Sequence, residues 1–286
     1  MEQQPSTLKD QIGLSSRDLD LLMDLSLKGY RYLNCGHLRL LGYFPEESAC
    51  KDGITRLLDA GLVMRLFLPI VTQEMASDDV YILSRLGARF LAQTREISPL
   101  GLAGPARPSP LFMEHGIKIS DFMCSLEAAL SGGQETRLVN WKSEFVLKAI
   151  RARTVKDSNP WDPSKKLPVI PDGLFSLETN SRVEHYSLEA DRGTMGIESI
   201  RRKMLAYVAL FRQGLHKTAY GLPHFRVLLV TTTPYRQDRF RAALRNIGYC
   251  QNMFLFTVWK KVSSETIVTE PIWMKANSQS PVRLLD

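Results

Sequence analysis

The alternation of apolar and polar positions switches repeatedly between helical and strand periods along the chain. Residues 14–28 (LSSRDLDLLMDLSLK) repeat leucine at helical spacing behind a Ser-Ser pair suited to capping, which predicts a first helix. A short helix is expected around Gly36–Leu41, a turn at Gly42-Tyr43-Phe44-Pro45, and a third helix over roughly 47–60 that ends at Gly61. Met64–Pro69 and Val80–Leu83 read as two strands joined by the polar loop Gln73–Asp79. Three helices followed by a β-hairpin is the order of a winged helix-turn-helix, with that loop as its wing. Ser48, Lys51, Thr55 and Arg56, with Arg65 just beyond, would then face a major groove or its phosphates. The same module also serves protein–protein contact and dimerisation, and the pattern alone leaves both readings open.

Residues 96–110 (EISPLGLAGPARPSP) hold four prolines and few large apolar side chains, and read as a linker. Helical stretches are predicted over about 111–130 and 138–151. From 168 onward strands alternate with helices. Leu167–Asp172 leads into Gly173–Leu177, and Val183–Glu189 follows as an antiparallel partner if Glu178–Arg182 is a hairpin. A helix over 196–212, a strand over 225–230, a helix over 235–246 and a strand over 253–259 complete the pattern. The expected fold class is α/β (α+β mixed). A winged helix over 1–95 and the linker 96–110 precede an α/β sandwich around a central mixed sheet over 111–286.

Charge and cysteine usage narrow the class. The 286 residues carry 37 Lys and Arg against 30 Asp and Glu, a net charge of +7 that suits a polyanionic partner. Cys35, Cys50, Cys124 and Cys250 form no CxxC pair, so reduced thiols are expected rather than a zinc site or disulfide framework. The N-terminal residues lack a signal-peptide pattern and no apolar run approaches a membrane span, so a soluble cytoplasmic protein is expected. His37, His115, His185, His216 and His224 show no HxH or HExxH spacing, and Gly132-Gly133 lacks the Lys-Ser/Thr of a phosphate loop.

The chemistry concentrates on two carboxylates. Asp172 precedes one predicted strand and Glu189 ends the next, seventeen positions later, so one hairpin brings both to the same end of the sheet. A hard divalent ion, Mg2+ or Mn2+, needs one or two carboxylates together with phosphate and water oxygens, and it acidifies a bound water. Asp172 and Glu189 are the expected ligands, with Glu144 as a third. Tyr207 and Tyr220 are candidates for a covalent phosphotyrosine link, although a helical tyrosine more often packs. Arg151, Arg153, Lys156, Lys165 and Lys166 would track a DNA backbone or form a solvated loop.

Pro171-Asp172, the string Leu188-Glu189-Ala190-Asp191-Arg192-Gly193-Thr194, and a following helix with Lys203 and Tyr207 resemble the replication-relaxation family over about residues 15–275. The resemblance implies an N-terminal winged helix, a C-terminal domain similar to PD-(D/E)xK nucleases, and plasmid or mobile-element DNA as substrate. Mobilisation or replication proteins are implied as further partners. The family includes MobC-type mobilisation relaxases, which nick plasmid DNA at the transfer origin. A PD-(D/E)xK site places lysine two residues after its glutamate, where this chain has Asp191. Arg192 is adjacent but on a strand points to the opposite face, and arginine is no base at neutral pH. Lys203 is the expected replacement for the amine. The sequence therefore supports either metal-dependent nicking or a DNA-binding regulator on a catalytically inactive nuclease fold, with protein recognition as a third role.

Overall fold

The computed structural model describes residues 13–67, 79–132, 135–150, 152, 167–245, 247 and 250–286. It divides into two compact units, Met1–Cys124 and Ser125–Asp286. Most of the expected wing, and the basic residues Arg151, Arg153, Lys156, Lys165 and Lys166, lie outside the described residues.

The first unit opens with three helices, α1 (Ser16–Asp24), α2 (Cys35–Leu40) and α3 (Glu47–Asp59). Helix α1 starts in a capping box. Asp18 N–H donates to Ser15 Oγ at 3.2 Å, and Ser15 N–H donates to Asp18 Oδ2 at 2.8 Å. It ends four residues earlier than leucine periodicity suggests, because the chain turns at Ser26–Gly29 and Tyr30 N–H returns to Asp24 O. Asn34 and His37 form a second capping box on α2, and His37 Nε2 lies 2.8 Å from Asp121 Oδ1. Strands β1 (Val63–Leu66) and β2 (Val80–Leu83) pair antiparallel, Val63 opposite Leu83. Helix α4 (Arg85–Thr94) follows, capped by Ser84. The division between the units falls inside the long helix α5 (Pro110–Leu130), whose Met113 and Ile117 pack with Tyr32, Val80 and Ile82. The Pro-rich segment before it is laid against the first unit: Leu102 is fully buried and its carbonyl accepts from Leu27 N–H at 2.8 Å.

The second unit is a six-stranded mixed sheet in sequential order, β3 (Arg137–Ser143), β4 (Gly173–Glu178), β5 (Val183–Ala190), β6 (Arg226–Thr231), β7 (Phe254–Val258) and β8 (Met274–Lys275). Strands β5, β6 and β7 are parallel; the remaining pairs are antiparallel, including the expected hairpin β4–β5. Parallel neighbours need crossovers. Helices α7 (Ile197–Arg212) and α8 (Leu215–Tyr220) supply one, and α9 (Pro234–Arg245) the other. Ile200, Met204, Tyr207 and Val208 line the buried stripe of α7 and share a core with Leu229, Phe240 and Phe256.

One expectation is corrected. Residues 138–143 form edge strand β3, and a helix, α6 (Glu144–Ile150), begins only after it. The strand wins because β4 offers an open edge. Asn140, at φ 58°, absorbs a bulge between Val139 and Lys142, and Trp141 covers Gly173, where an added Cβ would meet its ring at 2.5 Å. The chain is thus mixed α/β in both units, and among the described residues no helix is long and apolar enough to cross a membrane.

Gly87 holds α4 against the exit of α3: a Cβ there would lie 2.1 Å from the Leu62 carbonyl oxygen, which is backbone and cannot swing away. Gly87→Ala is expected to cost about 1–3 kcal/mol, as overpacking does. Urea unfolding of the full chain should show this as a lower midpoint for its first transition.

Candidate functional site

Strand register sets Asp172 beside Glu189. Gly173 pairs with Leu188, so one position outward Asp172 is level with Glu189, and cross-strand partners share a face. Asp172 N–H donates to Leu188 O at 3.0 Å, and Ala190 N–H donates to Asp172 Oδ2 at 2.7 Å. Both carboxylates are buried under α7. Lys203 sits on that helix between Ile200 and Tyr207, one turn from each, so the apolar stripe that docks α7 also delivers its amine. The Lys203 ammonium touches Glu189 Oε2 and lies 3.9 Å from Asp172 Oδ1. Tyr207 donates its hydroxyl to Glu189 Oε1. With that proton committed, Ser187 Oγ, 2.9 Å away, donates to the tyrosine oxygen.

Two carboxylates and one ammonium leave this cluster with an unbalanced negative charge in a low-dielectric setting. Burial pushes the Glu189 carboxyl up to about 7; the attraction of Lys203 opposes this and the repulsion of Asp172 adds to it. For Lys203 burial works toward the neutral amine, but Asp172 and Glu189 outweigh it and hold the ammonium above its usual range. Tyr207 is raised well above its ordinary value by burial and then by Glu189, so it remains a donor. Tyr220, raised by burial and by the Glu189 charge, donates to Val169 O at 2.9 Å. Neither buried tyrosine is presented as a nucleophile.

The other expected residues fall around or apart from this cluster. Glu144 opens α6 and pairs with Lys148 at 2.7 Å; its charge reaches Lys203 without a bond to either site carboxylate. Asp191 has a different set of partners. Its carboxylate receives Arg236 through Nε at 2.5 Å and Nη2 at 2.8 Å, and Thr231 Oγ1 at 2.5 Å. Its carbonyl accepts from Trp259 Nε1 at 2.9 Å, and Arg236 also donates to Met195 O at 2.5 Å. Asp191 therefore ties together the chain leaving β5, β6 and β7. Arg192 is half-buried in the loop that follows. Ser48, Lys51 and Thr55 share the exposed face of α3 at i, i+3, i+7 spacing. Lys51 pairs with Glu47 at 2.6 Å, Arg56 is engaged by Asp18 at 2.8 Å, and Arg65 reaches Asp79 at 3.3 Å. The partners that the sequence reading missed are Ser187, Arg236, Thr231 and Trp259. Only Ser187 left a signal, two positions before Glu189 on one strand face.

Hard carboxylate oxygens from Asp172 and Glu189 fit Mg2+ or Mn2+ in kind. In the described arrangement Lys203 stands between them and supplies the compensating charge. Among the described residues no group of three or more His, Cys, Asp or Glu is placed to hold a metal. A family model described as replication-relaxation matches residues 25–224, which include Asp172, Glu189, Lys203 and Tyr207. No curated protein and no solved structure matches the chain.

Two outcomes follow for variants. A glutamate ordinarily titrating at 4.5 and raised to about 7 by folding stabilises the fold fully below 4.5, and that contribution is lost as pH rises through 7. Glu189→Gln should therefore gain on the wild type by on the order of 3 kcal/mol between pH 4.5 and 8, read as the difference in urea midpoints. Lys203 titrates far above that window. Asp191→Ala leaves Arg236 without its bidentate partner and should cost about 3–5 kcal/mol. Trp259, bonded to the main-chain carbonyl of the same residue, follows the unfolding of the variant by its fluorescence.

Proposed function

Because this chain belongs to the replication-relaxation family, we propose that it processes plasmid or other mobile-element DNA by nicking or relaxing it. The observation that carries this reading is the meeting of Asp172, Glu189 and Lys203 at one end of the mixed sheet. The sequence departs from the PD-(D/E)xK spacing at Asp191, and an amine from α7 stands at the carboxylates instead. Asp172 and Glu189, with Glu144 as a third, are the residues that would hold Mg2+ or Mn2+, which when bound supplies Lewis acidity to a scissile phosphate. Lys203 offsets charge that builds on the phosphate oxygens. Glu189, raised to about 7, exchanges a proton near neutrality, and Tyr207 with Ser187 fixes its orientation. In the first unit, three helices followed by an antiparallel strand pair support a winged helix that holds duplex DNA through Ser48, Lys51, Thr55, Arg56 and Arg65. Mobilisation or replication proteins are the further partners this role entails.

A second reading, a DNA-binding accessory factor on an inactive nuclease fold, is favoured by one observation. Lys203 lies against both carboxylates and closes the cluster on itself. The two readings separate on supercoiled cognate plasmid with Mg2+ or Mn2+. Nicking predicts open circles from the wild type, none from Asp172→Ala, and about 100-fold less from Lys203→Ala. No open circles from the wild type, or product undiminished by Asp172→Ala, leaves the accessory role.

A further inference from the structure

The carboxyl ends of the three parallel strands carry side chains that the acidic cluster does not use. Ala190, Thr231 and Val258 end β5, β6 and β7 in adjoining register, and open α/β sheets bind ligands at this edge. Asp191 and Arg236 neutralise each other there. Tyr235, at the start of α9, is 71% exposed, an expensive position for a large ring. Arg239, one turn on, donates to the Tyr235 hydroxyl at 3.0 Å, with its guanidinium carbon 5.9 Å from the ring centre. Lys260 and Lys261, also exposed, follow β7 in the adjacent loop. Asp238, the acid in this part of α9, is paired with Arg241 at 2.8 Å.

We propose that this rim binds a single strand of DNA, one base stacking on Tyr235 while Arg239, Lys260 and Lys261 follow the phosphates. An aromatic face among cations is the common device for unpaired strands, since every base has a face to stack and a duplex keeps those faces covered. Glu189 lies two positions before Asp191 on β5, so a strand along the rim runs past the acidic cluster. The inference rests on the DNA-processing reading of that cluster and names the form of DNA it receives.

Fluorescence anisotropy of the full chain with a labelled oligothymidine, and with a duplex of equal length, tests it. The wild type is expected to bind oligothymidine. Tyr235→Ala should weaken that affinity about tenfold and leave the duplex affinity unchanged, while Tyr235→Phe retains binding. Arg239→Ala should lower the slope of log affinity against log salt by about 0.7. Failure of the wild type to bind oligothymidine, an unaltered affinity in Tyr235→Ala, or an equal loss for strand and duplex would overturn the proposal. A wild type that binds oligothymidine through Tyr235 but gives no open circles counts against the activity and not against the strand site.

Discussion

Strand register places two carboxylates side by side beneath a helix, and the arrangement of the second unit answers that constraint. Gly173 opposite Leu188 leaves Asp172 and Glu189 no choice of face. Like charges at that separation in a low-dielectric interior are tolerable only with a cation, hydrogen bonds or a proton. The chain uses all three. Lys203 supplies the cation, Ala190 N–H and Tyr207 the hydrogen bonds, and the raised Glu189 retains a proton near neutrality. The helix that brings the lysine is also the crossover that makes β5 and β6 parallel, so topology and electrostatic compensation share one element.

Much of this was legible in the sequence where local rules decide. Ser15 with Asp18 announces the start of α1, and the spacing of Asp172 and Glu189 is that of one hairpin. The position of Lys203 within the stripe 200, 204, 207 and 208 marks it as facing the sheet, an unusual place for lysine unless an acid waits there. What escaped depended on distant or brief signals. Residues 138–143 carry no strong strand pattern; an open edge on β4, assembled from residues roughly thirty to forty positions later, decides their conformation. Helix α8 is six residues between Gly214 and Gly221, both left-handed, too short to show a period. The Asp191–Arg236 pair spans forty-five positions, and nothing local to either residue names the other.

The two units place their cations differently. On α3, Lys51 and Arg56 are answered by Glu47 and Asp18, so the helix face offers shape and hydroxyls as much as net charge. Under the proposed DNA-holding role, such a surface would depend on fit to a groove more than on attraction to phosphate. At the strand ends of the second unit, Lys260 and Lys261 follow each other in one exposed turn after β7, and an exposed tyrosine opens the helix after β6. That combination favours a partner held by its backbone charge and its bases' faces.

Asp191 also bears on how this fold can change over time. Its side chain and backbone are shared among Thr231 at the end of β6, Arg236 in the first turn of α9 and Trp259 just after β7. Replacing Asp191 leaves the Arg236 guanidinium and the Thr231 hydroxyl without their acceptor, and replacing Arg236 leaves a buried acid unpaired, whereas the Trp259 indole keeps its main-chain acceptor through any side-chain change. Lengthening the connection from β6 to α9 pulls Arg236 out of reach of Asp191. Asp191, Thr231 and Arg236 should therefore covary among relatives, and the connection from β6 to α9 should keep its length while the sequence around these anchors drifts.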